Sequence, residues 1–310
     1  MQRQKIYLSS YIMLAVVLAI FLLSAQFKKI QVKKNSVKSI TFFEEKFEDA
    51  NFALRGWYDN TTLSLSSSEH IPGSSQSAEY HWQAGENKPV NGGAIRKKFS
   101  ESDEVYISFW VKYSSSYRGS NKPYHPHEFL LMTNKNGDYE GLAFTHLTAY
   151  IEQNRGNPLL ALQDGQNIDQ SKIAQDLQNI TENRGAHGCN GIYPDGNTSV
   201  DCYNAGGGAH WNGQLWKATG TTISNGAWHH VEAYFKLNNI QKGKGVGDGI
   251  LKYWLDDQSY INSSGVLIRT GQHPDMKFNQ FIIAPWIGDG SPLDQTFWID
   301  DLVAGNVRPG

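Results

Sequence analysis

The sequence predicts an all-β protein, one large sandwich of two antiparallel sheets. Short apolar or alternating runs recur along the chain, with turn residues between most of them. The composition is rich in Gly, Trp and Tyr (30, 9 and 15 of 310 residues), the mixture that many strands, tight turns and exposed rings require. Only one segment reads as a helix, and no internal repeat divides the chain.

The N-terminus stands apart from the fold. Tyr11 to Ala25 (YIMLAVVLAIFLLSA) is an uncharged apolar run behind a short basic start with Arg3 and Lys5. That is the layout of a secretory signal or a short membrane anchor. The run is shorter than the ~20 residues of a comfortable span, Leu23-Ser24-Ala25 is an imperfect cleavage site, and lysines flank the run, so both readings stay open. Either one places the rest of the chain outside the cytosol, secreted, periplasmic or tethered. The organisation read from sequence is 1–27 signal or anchor, 28–40 polar linker, and 41–310 one β domain with a Gly/Asn-rich insertion over 153–226. A net charge of −2 without a basic block excludes nucleic acid as the natural partner.

Within the domain, strands are expected at Val105–Tyr113, Glu128–Met132, Leu142–Glu152, His229–Leu237, Ile250–Asp256, Phe278–Ile287 and Thr296–Ala304. Ile173, Leu177 and Ile180 recur at helical spacing, which predicts a helix over Ser171–Asn183 behind an Asp169 cap. Cys189 and Cys202 are the only cysteines, and in an exported chain they are expected to form a disulfide. Phe47-Glu48-Asp49 opens the domain and Asp300-Asp301 lies near its end. If the first and last strands pair, Glu48, Asp49 and Asp301 become candidate ligands of a structural calcium.

The most informative strand is Trp228–Asn238 (WHHVEAYFKLN). Alternation puts Val231, Ala233, Phe235 and Leu237 on a core face and His230, Glu232, Tyr234 and Lys236 on the other. A solvated outer face usually carries Thr, Ser and Lys, so a row of His, Glu, Tyr and Lys points to a site. Tyr150 shares a face with His146 and Glu152, Lys252 with Trp254, and Trp110 with Lys112. Aligned on one sheet, these faces would make a groove of aromatic platforms and mixed charges, suited to an anionic polysaccharide. Arg118, His125 and His127 (YRGSNKPYHPHEF) add polar candidates just before and within a strand.

Trp228 to Asp257 (WHHVEAYFKLNN…GDGILKYWLDD) resembles the paired strands of concanavalin-like jelly rolls, which include polysaccharide lyases and laminin-G-like modules. The opening FEDANF and the closing FWIDDLVAG agree with that layout, and Tyr234-Phe235-Lys236 resembles the Tyr-x-Lys strand of alginate-lyase-like enzymes. The resemblance implies a jelly-roll sandwich and a lyase that cleaves a uronate polymer by β-elimination, without a cofactor for the chemistry. Tyr234 would be base or acid, with His146 or His127 as its partner. Tyrosine, with a free pKa of about 10, needs a nearby cation to act as a base at neutral pH, and Lys236 would supply it. Lys236 and Arg118 would hold the substrate carboxylate. A non-catalytic carbohydrate-binding module and a glycoside hydrolase using Glu232 with Glu152 or Asp256 are the alternatives.

Overall fold

The computed structural model describes residues 38–122, 126–135, 147–164, 175–176, 189–190, 202–204, 210–271 and 273–309. The N-terminal apolar run, His125 and His146 lie outside the described residues. Ser39–Gly310 forms one compact unit.

Two large antiparallel sheets build it. The eight-stranded sheet runs, in spatial order, Gln258–Val266, Gly249–Leu255, Trp228–Lys236, Glu104–Tyr113, Gln295–Gly305, Ser77–Trp82 and Ser64–Ser66, with Thr41–Glu45 also pairing on Gln295–Gly305. The ten-stranded sheet runs Gln175–Asp176, Cys189–Asn190, His210–Lys217, Asn157–Asp164, Thr148–Asn154, His127–Thr133, Phe278–Trp286, Ile95–Ser102 and Trp57–Asp59, with Cys202–Asn204 also on His210–Lys217. Neighbouring strands in space are often distant in sequence, as a jelly-roll sandwich requires.

Alternation explains how the sheets meet. Val231, Ala233 and Phe235 face inward from one sheet, Phe129, Leu131 and Phe281 from the other, and all belong to one buried core. Phe109 and Phe129 touch across the gap with ring centroids 4.3 Å apart, and Phe235 meets Phe278 at 6.3 Å. A second, smaller apolar cluster of Leu130, Met132, Tyr150, Leu159, Ala161 and Ile282 comes from the outward positions of the ten-stranded sheet. Residues 159–162 (LLAL) therefore bury both faces of their strand.

Two parts of the stretch 153–226 are strands rather than loop. Asn157–Asp164 and His210–Lys217 are full strands of the ten-stranded sheet, paired from Leu159↔Lys217 to Asp164↔Asn212. A strand covered on both faces loses the period-two pattern that betrays a half-exposed one. The predicted helix fails where it can be checked: Gln175–Asp176 pair as a strand with Cys189–Asn190. Among the described residues the only helical turn is the 3-10 turn Ala53–Arg55. The side chains of Cys189 and Cys202 are not among those described. Their backbones stand opposite Gly213 and Gln214, consecutive positions of one strand.

The pairing of the first and last strands is as expected, Glu45 opposite Leu302. The acids there do not converge on a common point. Glu48 accepts hydrogen bonds from Ser75, Asp49 pairs with Arg55 at 2.5 Å, and Asp301 pairs with Lys46. Each has a hydrogen-bond or ion-pair partner of its own, and among the described residues Glu48, Asp49 and Asp301 do not gather as a group placed to hold a metal ion. Asp300 is a buried acid of this corner, whose carboxylate accepts from Ile71 N and Ser74 Oγ and which burial pushes above the ordinary aspartate value.

Candidate active site

The residues singled out in the sequence fall on two opposite faces of the sandwich. His230, Glu232, Tyr234 and Lys236 do point away from the core, but they belong to the eight-stranded sheet, with Lys252, Trp254 and Trp110 beside them. Tyr150 and His127 belong to the ten-stranded sheet. The single groove expected from aligning these faces is therefore corrected: the core lies between them.

The outer face of the eight-stranded sheet is a network of satisfied pairs. Tyr234 Oη donates to Glu104 at 2.9 Å, and Lys236 Nζ pairs with the same carboxylate at 2.6 Å. Burial, and then the Glu104 charge, push the Tyr234 hydroxyl well above its ordinary value. The cation meant to favour a Tyr234 phenolate neutralises Glu104 instead, so Tyr234 is held as a neutral donor. Arg308 grips Glu232 through two hydrogen bonds of 2.8 and 2.6 Å, and Tyr106 donates to the same carboxylate at 2.5 Å. Burial alone would raise Glu232, but these bonds outweigh it and hold the group below the ordinary glutamate value. The Arg308 guanidinium also lies 4.8 Å from the Trp254 ring, and Trp110 stacks on His230 at 5.0 Å. His230, Glu232 and Asp257 are close enough to hold a metal ion. Arg308, which reaches both carboxylates, already supplies the positive charge there. Arg118 is exposed on the turn after Glu104–Tyr113 and does not line a groove with these residues.

The ten-stranded sheet is built differently. Along Thr148–Asn154, Tyr150 and Glu152 point outward toward His127, at the start of the adjacent strand. The His127 ring stacks on Tyr150 at 5.1 Å, and its Nδ1 donates to Glu152 Oε1 at 2.9 Å. The Glu152 side chain is 0 % exposed. Tyr150 is 1 % exposed and donates through Oη to Gln163 on the next strand at 2.7 Å. A buried carboxylate that fixes one ring nitrogen while an aromatic face fixes the ring plane is the standard way to orient a histidine for proton transfer.

His127 opens into a groove of about 860 Å³ over the Phe278–Trp286 and His127–Thr133 strands. Its lining includes Leu130, Ile282 and an ion pair between the buried Arg96 Nε and the more exposed Asp59 at 2.5 Å. Gly92 and Gly93 form one wall by backbone. A Cβ on Gly93 would come within 2.8 Å of Asn60 Nδ2, so a larger residue there would crowd the groove. Lys88 and Trp286 stand at the rim. Sequence reasoning missed Asp59, Arg96, Lys88 and Trp286. Arg96 reads as a surface charge in IRKK, and only its burial distinguishes it from its neighbours.

No family model matches the chain, and no curated protein matches it in sequence. Solved structures do. An alginate lyase from Chlorella virus superposes with a TM-score of 0.56 at 10% identity, over 86% of this chain and 99% of the other. The PL-14 alginate lyase of Aplysia kurodai gives 0.55 at 12% identity, over 87% and 100%. The chain has the fold of these lyases. The endo-β-1,4-glucuronan lyase of the fungus Trichoderma reesei gives 0.50 at 14% identity, over 86% and 96%. The lyase fold thus accounts for the jelly-roll sandwich expected from the Trp228–Asp257 strands. At such identities it says nothing of chemistry, which rests on the side chains.

Proposed function

We propose that this chain is a polysaccharide lyase that cleaves a uronate-containing polymer by β-elimination in the groove of the ten-stranded sheet. The observation that carries this reading is the His127–Glu152 pair, set beside Tyr150 at the mouth of a groove large enough for a sugar chain. The likeness to alginate and glucuronan lyases supports it at the level of fold.

The chemistry follows from the geometry. His127 takes the C5 proton of the uronate at Nε2, because Nδ1 is bound to Glu152. The buried Glu152 carboxylate stabilises the imidazolium so formed. Electrons from the broken C5–H bond form the C4–C5 double bond as the C4–O4 bond breaks. The departing O4 takes a proton from the same imidazolium. Tyr150, locked by Gln163, holds the plane of the ring. The N-terminal apolar run supports an enzyme that meets its polymer outside the cytosol, freely secreted or tethered.

The full chain is tested on alginate, glucuronan and glycosaminoglycans for unsaturated uronate ends. New reducing ends without unsaturation would replace elimination by hydrolysis, and binding without any new ends would leave a carbohydrate-binding module.

A further inference from the structure

We propose that Lys88 and Trp286 form the subsite that selects a uronate over a neutral sugar and seats it next to His127; this rests on the lyase reading of the groove. Trp286 is the register partner of His127 across the pairing of their two strands, so the indole and the imidazole are neighbours on one sheet. Trp286 is 39 % exposed and lines the groove, so part of its ring faces the space a sugar would enter. Lys88 Nζ lies 5.9 Å from the indole centroid, which puts a positive charge beside the stacking surface.

The charges of the groove point to Lys88 in particular. Arg96 is 3 % exposed and committed to Asp59. His127 is committed to Glu152. Lys88 is exposed and forms no ion pair among the described residues, so its ammonium is the groove cation open to an incoming carboxylate.

The pair is also built in. Residues 85–87 are laced to 287–291 by Gly85 N to Ser291 O at 2.7 Å, Ser291 N to Glu86 O at 2.8 Å and Ile287 N to Asn87 O at 2.9 Å. Asn87 Nδ2 adds a bond to Ile287 O at 3.0 Å. Lys88 follows the first segment and Trp286 precedes the second, so the lacing fixes one against the other. A pyranose ring presents an apolar C–H face that stacks on indole, and a uronate carries its carboxylate on C5, the carbon that loses the proton. Stacking on Trp286 with the carboxylate on Lys88 brings that carbon to His127.

The test compares full-chain wild type, Lys88→Gln, Trp286→Ala and Trp286→Phe on uronate oligosaccharides and on the same oligosaccharides with their carboxyl groups reduced. Binding is read by titration and cleavage by unsaturated ends. Lys88→Gln should weaken uronate binding about tenfold and leave the reduced, neutral oligosaccharide bound as before, closing the gap between the two. Trp286→Ala should weaken binding of both sugars and raise KM for the uronate, and Trp286→Phe should recover part of the loss. Unchanged KM and unchanged discrimination in variants that still cleave would overturn the subsite and leave the lyase reading standing. A wild type that neither binds nor cleaves uronates would overturn both.

Discussion

Glu152 meets Nδ1 of His127 at 2.9 Å from a position fully closed to solvent, whereas His127 itself lines the groove. One residue of the pair belongs to the interior and the other to the substrate. A carboxylate placed this way does nothing for binding and much for the charge that develops on the ring. Glu152→Gln keeps the size of the side chain and removes that charge. Turnover should fall roughly 10²-fold or more, with KM little changed. A variant that loses affinity instead would make Glu152 a substrate contact.

Tyr234 lies on the far sheet, donating to Glu104, with the core between it and the groove. Tyr234→Phe is expected to leave cleavage intact and to cost about 1 kcal/mol of stability for the lost hydrogen bond. Chemical denaturation and the turnover assay check the two halves separately.

Glu128 should make stability fall as pH rises. It is buried between the sheets, accepts hydrogen bonds from Tyr113 at 2.7 Å and Gln153 at 3.0 Å, and is pushed up to about 8, chiefly by burial. Below the ordinary glutamate value of 4.5 both folded and unfolded chains hold the proton. Between 4.5 and about 8 the unfolded chain releases it while the folded one keeps it, so folding weakens across that window and levels off above it. Glu128→Gln should flatten this decline relative to wild type. Urea midpoints at several pH values measure the difference, and parallel curves would show that Glu128 is already ionised.

Arg308 lies beyond the last strand, Gln295–Gly305, and binds the buried Glu232 through two hydrogen bonds. Arg308→Ala leaves that carboxylate with Tyr106 alone among its strong donors, at a cost of about 1–3 kcal/mol. Truncation after Val307 should cost the same, and neither change should alter cleavage. A loss of activity in either variant would tie the two faces of the sandwich together.

Strands with one wet face were legible in the sequence. Trp228–Lys236 and Gly249–Leu255 alternate, and each differs from its expected bounds by one residue at either end. Asn157–Asp164 was not legible, because both of its faces are buried and its apolar run has no period. The site was half legible. His127, Tyr150 and Glu152 stood out by residue type, but strand alternation gives only the face of a strand and never which sheet the strand joins. That missing fact joined Tyr234 to the wrong partners. Lys88 and Trp286 escaped for a similar reason, since only the lacing of residues 85–87 to 287–291 brings them together.

The central claim is that elimination occurs at His127 on the ten-stranded sheet. The measurement that tests it most directly is the ultraviolet absorbance of unsaturated uronate, followed for full-chain wild type, His127→Ala and Tyr234→Phe on the uronate polymers. Wild type and Tyr234→Phe should give a rising trace, and His127→Ala a trace lowered by roughly 10²–10⁴-fold. A rising trace for His127→Ala together with a flat one for Tyr234→Phe would contradict the claim and move the chemistry to the opposite face.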